Sequence, residues 1–219
     1  MDIIKNSQPM FSIVITTFNR AQLLKRALNS MVSQTENDWE AIIVDDGSTD
    51  NTHRQILQYL RSYSKIKYIW QPHSTTIPSK NYGIKAAAGK FVAFLDSDDE
   101  YHPYHLESRK KFLTENPSIR FLYGGVKVLG NQYTPDKNNP SVSINLNDCV
   151  IGGSFIIERK ILLSLLGFRD IILGSDSDLF ERAEKARIRM AKVQLPTYIY
   201  HHENPESLTN KLYLKVKEL

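Results

Sequence analysis

A single cysteine, Cys149, stands in 219 residues, so no internal disulfide can form and the chain suits a reducing compartment. It lies in an apolar run, where a thiol is expected to be buried and inert. No apolar run approaches the ~20 residues needed to span a bilayer. The opening segment MDIIKNSQPM lacks the apolar core of a signal peptide, so the expectation is a soluble, cytoplasmic protein. There is no internal repeat, no zinc-ligand spacing and no low-complexity tract, and G-x-G-x-x-G is missing, which disfavours dinucleotide cofactors. Neither sign of charge dominates: 28 basic residues against 24 acidic give a net charge of +4. That balance fits an anionic ligand or an anionic membrane surface without implying nucleic acid. At this length one domain is the default.

What is present centres on FVAFLDSDDE, Phe91 to Glu100. Its first five residues are apolar without alternation, the pattern of a strand buried on both faces in the middle of an α/β sheet. The strand then ends in Asp96, Asp98, Asp99 and Glu100. Carboxylates held together raise one another's pKa unless a cation neutralises them, and oxygen ligands without Cys or His suit Mg²⁺ or Mn²⁺. One reading is therefore a site for a metal–diphosphate complex at the strand's C-terminal end, where α/β sheets bind ligands. The other is a solvated loop in which Asp99 or Glu100 caps a helix starting near Pro103.

Before this stretch, Phe11 to Asn19 reads as a strand, with Asn19 as cap of a helix whose core stripe is Leu23, Leu24, Ala27, Leu28, Met31 and Val32. Trp39–Asp45 is the next strand, DGSTDN leads into a helix bearing Ile56, Leu57 and Leu60, Ile66–Trp70 is a third strand, and a helix ends at Gly89. Strand and helix alternating at this spacing predict a Rossmann-like half with a parallel sheet. Beyond Pro103 a helix is expected up to Asn116 and Pro117, then a strand from Phe121 to about Leu129, and a polar loop containing Asn138, Asn139 and Pro140. Cys149 to Glu158 reads as a second buried strand, an acidic turn enters a helix at GSDSDLFERAEKA, and a final strand lies around Tyr198–Tyr200. Leu208 to Leu219 carries Leu212, Val216 and Leu219 among lysines, compatible with core docking, homodimer formation or peripheral membrane contact.

Five segments in order, SIVITTFNR, WEAIIVDDGSTD, KNYGIKAAAGKFVAFLDSDD, GGSFIIERKILLSLLGF and GSDSDLFER, resemble the family 2 glycosyltransferases of the GT-A fold, from about Phe11 to Thr209. The resemblance implies a single α/β domain over 1–219 with a mixed central sheet, its nucleotide-binding half at 11–100 and its acceptor-binding half at 101–219. It implies inverting transfer of a sugar from a nucleotide-diphosphate donor, expected to be a UDP-sugar, to a glycan or lipid-linked acceptor. Bacterial surface polysaccharide synthesis at the inner face of the membrane is the expected setting.

By the same resemblance, Thr16, Phe18, Asp45 and Asp46 hold base and ribose, and Phe18 stands where the family often has Tyr. Asp96 touches ribose, while Asp98 and Asp99 bind Mn²⁺ or Mg²⁺. Lys80 replaces a common Arg and faces phosphate without bidentate geometry. Asp176 is the general base, with Ser175 in place of the family's usual first acid, and Asp178 orients the loop or caps the helix. His202 aligns with a His near the metal, and His201 competes for that place. Taken without the resemblance, Asp45, Asp46 and Asp50 could equally shape a turn and cap a helix, and Asp176 and Asp178 could be ordinary helix-start acids.

Overall fold

The computed structural model describes residues 8–136, 139, 141–171 and 174–203. An eight-stranded mixed sheet runs through it in the order β3-β2-β1-β4-β9-β6-β10-β5. β2 (Trp39–Asp45) and β3 (Ile66–Trp70) appear where the sequence places them, β1 (Phe11–Thr17) starts at Phe11 but stops two residues before Asn19, and all three are parallel. β4 (Phe91–Phe94) pairs parallel to β1 on its other side, with Val14 opposite Phe94. The chain thus moves outward from β1 to β3 and returns across β1 to β4. That reversal opens a crevice between the C-terminal ends of β1 and β4, the usual ligand position in open α/β sheets.

Period-two alternation divides the core. Ile13, Ile15, Ala41 and Ile43 face α1 (Ala21–Val32), α2 (Thr52–Ser62) and α4 (His105–Glu115), meeting Leu24, Leu28, Met31, Ile56 and Leu106. Val14, Ile42 and Val44 face the opposite layer, formed by α3 (Thr76–Ala86), α5 (Arg159–Ser164) and α6 (Ser175–Lys185) through Ile84, Leu162, Leu179 and Ala183. Both faces of the sheet are covered, which is why its central strands are continuously apolar.

The second half of the sheet is where the structure departs from the sequence reading. The apolar run from Cys149 is not one strand: Gly152–Ser154 form a 3₁₀ turn, and only Ile156–Glu158 (β9) pairs, antiparallel to both β4 and β6 (Phe121–Gly130). The polar loop contains a two-stranded hairpin, β7 (Tyr133–Pro135) with β8 (Ser143–Asn145). Asn138 and Pro140 lie outside the described residues. The last strand, β10 (Met190–His202), is far longer than Tyr198–Tyr200 and pairs parallel to β6 across an irregularity between Val193 and Tyr198.

Helix ends also differ. Asn19 does not cap α1; it sits at φ 51° and its side-chain oxygen accepts from the amides of Thr49 and Asp50. Asp50 supplies that cap instead, accepting from the Ala21 amide at 3.1 Å and from the Thr52 amide at 2.9 Å, so one carboxylate serves the starts of α1 and α2. Neither Asp99 nor Glu100 caps α4, because Glu100–Tyr101 form β5 against β10. α3 stops at Ala86, three residues before Gly89. The segment Leu208–Leu219 lies outside the described residues.

Candidate active site

Asp45 and Asp46, at the end of β2, are both buried. Asp45 accepts from the Ser48 amide at 2.8 Å and the Tyr68 hydroxyl at 2.8 Å, which closes the DGS turn. Asp46 is a hub: its Oδ1 accepts from Gln71, from the amide and hydroxyl of Ser74, and from Ser79, at 2.8 to 3.0 Å. Burial alone would push its pKa up; these donors outweigh it and hold the carboxylate below the ordinary aspartate value. Thr16 is buried near the end of β1, and Phe18 just beyond it is exposed, with its ring stacked on His73.

At the end of β4 the acids part company. Asp96, with a side chain 35% exposed, pairs with the buried Lys80 at 3.0 Å. Asp98 pairs with Arg20 at 2.9 Å, and its carbonyl accepts from Arg26, so the acidic loop is tied to α1 across the crevice. Asp99 points inward, accepting from the Tyr198 hydroxyl at 2.5 Å and the His201 amide at 2.8 Å. Burial, with Asp96 and Asp98 adding repulsion, raises its pKa well above the ordinary value. Asp99 therefore ties the loop to β10, a use of the residue that the sequence does not display.

Asp176 lies in the first turn of α6, behind Gly174 in the left-handed conformation at φ 85°. Its carboxylate accepts from the Gly152 amide at 2.9 Å. A side chain at Gly152 would put Cβ 2.3 Å from Asp176 Oδ1, so glycine is what allows the two segments to meet. Burial raises the pKa of Asp176, Lys80 pulls it back, and Asp96 adds to the rise. Lys80 experiences the reverse: burial disfavours its charge, while Asp96, Asp176 and Asp99 hold it protonated. Asp178 braces a loop. It pairs with Arg182 at 2.7 Å, and Arg182 donates to the carbonyls of Leu165 and Gly167.

His202 Nδ1 lies 2.6 Å from the Asn131 carbonyl. A carbonyl only accepts, so Nδ1 is the donor, and it is Nε2 that a neutral imidazole in this tautomer would offer to a metal. His201 instead sits between Glu203 at 2.7 Å and Glu100 at 3.0 Å. Among the described residues no group of three or more His, Cys, Asp or Glu side chains could hold a metal ion by itself. A cation that arrives with a diphosphate needs only one or two protein carboxylates. Among the described residues no helix is long and apolar enough to cross a membrane.

Arg20, Gln71, Gly152 and Tyr198 organise this site although sequence reading singles out none of them for it. Each acts on an acid 24 to 99 residues away, and only Gly152, one of a Gly–Gly pair in an apolar run, leaves a local mark.

Acidic ends of parallel strands at a topological reversal, with a further carboxylate supplied by a helix N-terminus, define a GT-A-type fold. The chain belongs to glycosyl transferase family 2, whose pattern it matches over residues 12–161. It is 38% identical over 190 residues to the GalNAc(5)-diNAcBac-PP-undecaprenol beta-1,3-glucosyltransferase of Campylobacter jejuni, covering 82% of this chain and 61% of that protein. It is 29% identical over 164 residues to the Escherichia coli UDP-Glc:alpha-D-GlcNAc-diphosphoundecaprenol beta-1,3-glucosyltransferase WfgD, covering 73% and 64%. The match to the uncharacterized glycosyltransferase alr2836 of Nostoc is 34% identical over 64% of this chain and spans 45% of that protein, so the chain spans only part of the length of these relatives. In fold it is similar to S. aureus TarS in complex with UDP-GlcNAc, with a TM-score of 0.74 at 22% identity over 90% of this chain and 60% of that one. It is also similar to the mannosyltransferase PcManGT of Pyrobaculum calidifontis in complex with GDP-Man and Mn²⁺, with a TM-score of 0.69 at 16% identity over 89% and 57%.

Proposed function

We propose that the chain is an inverting glycosyltransferase that moves a sugar from a UDP-sugar to a saccharide or lipid-linked acceptor in bacterial surface polysaccharide synthesis. The observation that carries this reading is that acids from distant segments share one lysine: Asp96 at the β4 end pairs with Lys80 at 3.0 Å, and the charge of Asp176 from α6 bears on the same group. The two undecaprenol-linked glucosyltransferases among the relatives support the donor and acceptor classes.

In this reading Phe18 and Asp46 face the base, Thr16 and Asp45 shape the ends of β1 and β2 around it, and Asp96 meets the ribose. Asp98, with His202, would hold Mn²⁺ or Mg²⁺ against the diphosphate, and the cation would stabilise negative charge on the leaving group. Asp99 keeps the loop in place through Tyr198 and His201. Asp176 takes the proton of the acceptor hydroxyl while that oxygen attacks the anomeric carbon from the side opposite the diphosphate. The bond between the anomeric carbon and the phosphate oxygen breaks, and the configuration inverts. Residues beyond 101, including the hairpin of β7 and β8, would receive the acceptor. In this reading the enzyme works at the inner face of the membrane, where it would draw on cytoplasmic nucleotide sugars.

Replacing Asp176 by Asn tests the assignment. Transfer from a UDP-sugar to a lipid-linked acceptor should fall by about 10²- to 10⁴-fold, the range set by loss of a general base. Calorimetric UDP affinity should remain close to that of the parent. Undiminished turnover in the variant would end the role given to Asp176.

A further inference from the structure

The place assigned to the donor's base already holds a ring. His73, in the loop between β3 and α3, stacks on Phe18 with centroids 4.0 Å apart and planes 17° from parallel. Its Nδ1 lies 2.8 Å from Asp46 Oδ2 and 3.0 Å from the Asp46 carbonyl. Both partners only accept, so Nδ1 is the donor. The imidazole thus offers an aromatic face to Phe18 and an in-plane N–H to Asp46. A uracil would offer the same two features through its π-face and its imide.

The backbone keeps this loop close. Gly47 has φ +82°, and a Cβ there would lie 2.7 Å from the His73 amide nitrogen, so only glycine lets the β2 turn and the His73 segment touch. The side chain itself is not locked in: 53% of it is exposed, while Asp46 beneath it is 5% exposed. An outward rotation into solvent would leave both Phe18 and Asp46 uncovered.

We infer that His73 is an internal stand-in for the donor's base, covering the Phe18–Asp46 subsite in the nucleotide-free protein and leaving it when the nucleotide enters. This rests on the donor reading above. A nucleotide then binds only the fraction of molecules whose His73 is displaced, and its apparent affinity is lowered by that fraction. His73 is a positioning residue in this scheme: it selects against ligands that cannot replace both its stack and its hydrogen bond.

The test compares the parent with His73→Ala and His73→Gln, titrating each calorimetrically with UDP and with inorganic pyrophosphate in the presence of Mn²⁺. If His73 covers the subsite in about nine molecules of ten, UDP should bind His73→Ala about tenfold more tightly. Pyrophosphate, which has no base, should bind parent and variants equally. His73→Gln keeps a donor but loses the aromatic stack, and should fall between the two. In the parent, the imidazole proton resonances should lose their ring-current shift from Phe18 when UDP is added. Equal or weaker UDP binding by a folded His73→Ala overturns the inference alone, and weaker binding would make His73 a direct contact to the base. Failure of UDP to bind any of the three proteins overturns the donor reading, and the inference with it.

Discussion

Lys80 and Asp176 set the chemistry of the site at the level of single side chains. A general base works only when deprotonated, and burial raises the Asp176 pKa, so kcat/KM should decline on acidification at a pH above the ordinary aspartate range. Lys80 opposes that rise because its charge favours the carboxylate. Lys80→Met should therefore move the acidic limb of the kcat/KM profile to higher pH, whatever it does to the maximum rate. A limb that stays in place or moves to lower pH would mean that Lys80 does not act on the base. The same kind of accounting explains Asp99. Its raised pKa favours the protonated form in the fold, so its contribution to stability is present below the ordinary aspartate value and is lost as pH rises through the folded one. The loop keeps this acid because Tyr198 and His201 satisfy both oxygens.

Among the elements, the broken strand before β9 and the start of α6 have to be considered together. Phe155, Ile156 and Ile157 are fully buried, yet Gly152–Ser154 leave the sheet to form a 3₁₀ turn. That turn presents the Gly152 amide to Asp176, and Gly153 gives way to Tyr198, whose hydroxyl would lie 2.1 Å from a Cβ at that position. Gly152→Ala should keep the fold, since the change is one methyl in a turn, but displace the Asp176 carboxylate. A loss of about 10²-fold in kcat is expected for a catalytic group moved by about an ångström. Steady-state kinetics beside an unchanged far-ultraviolet dichroism spectrum would check it. Full activity in Gly152→Ala would show that Asp176 needs no fixed position.

At the scale of the molecule, the crevice exists because the chain reverses direction across β1, bringing the β1, β2 and β4 ends to one edge. Ligand held there binds the folded state alone, so its affinity should appear as thermal stabilisation. UDP with Mn²⁺ at about 100 times its dissociation constant should add about 2.7 kcal/mol. Chelation of the ion should remove most of that gain, because in the proposed site the cation offsets the charge of the diphosphate. A melting curve by differential scanning fluorimetry would measure both, and equal stabilisation with and without the cation would exclude metal dependence.

Local patterning was enough to lay out the strand and helix order of the first half of the fold. Apolar runs, capping acids and turn residues are local signals, and β2 and β3 appear with the bounds the pattern implies. It also marked the acids, since Asp96, Asp98 and Asp176 stand at the ends of readable elements. What each acid meets became visible once the segments were packed together. Asp99 turns from the crevice to Tyr198, Asn19 yields the α1 cap to Asp50, and His73 lies over Phe18. Range explains the difference: periodicity and propensity act within a few residues, whereas these contacts join segments brought together by burial of both sheet faces.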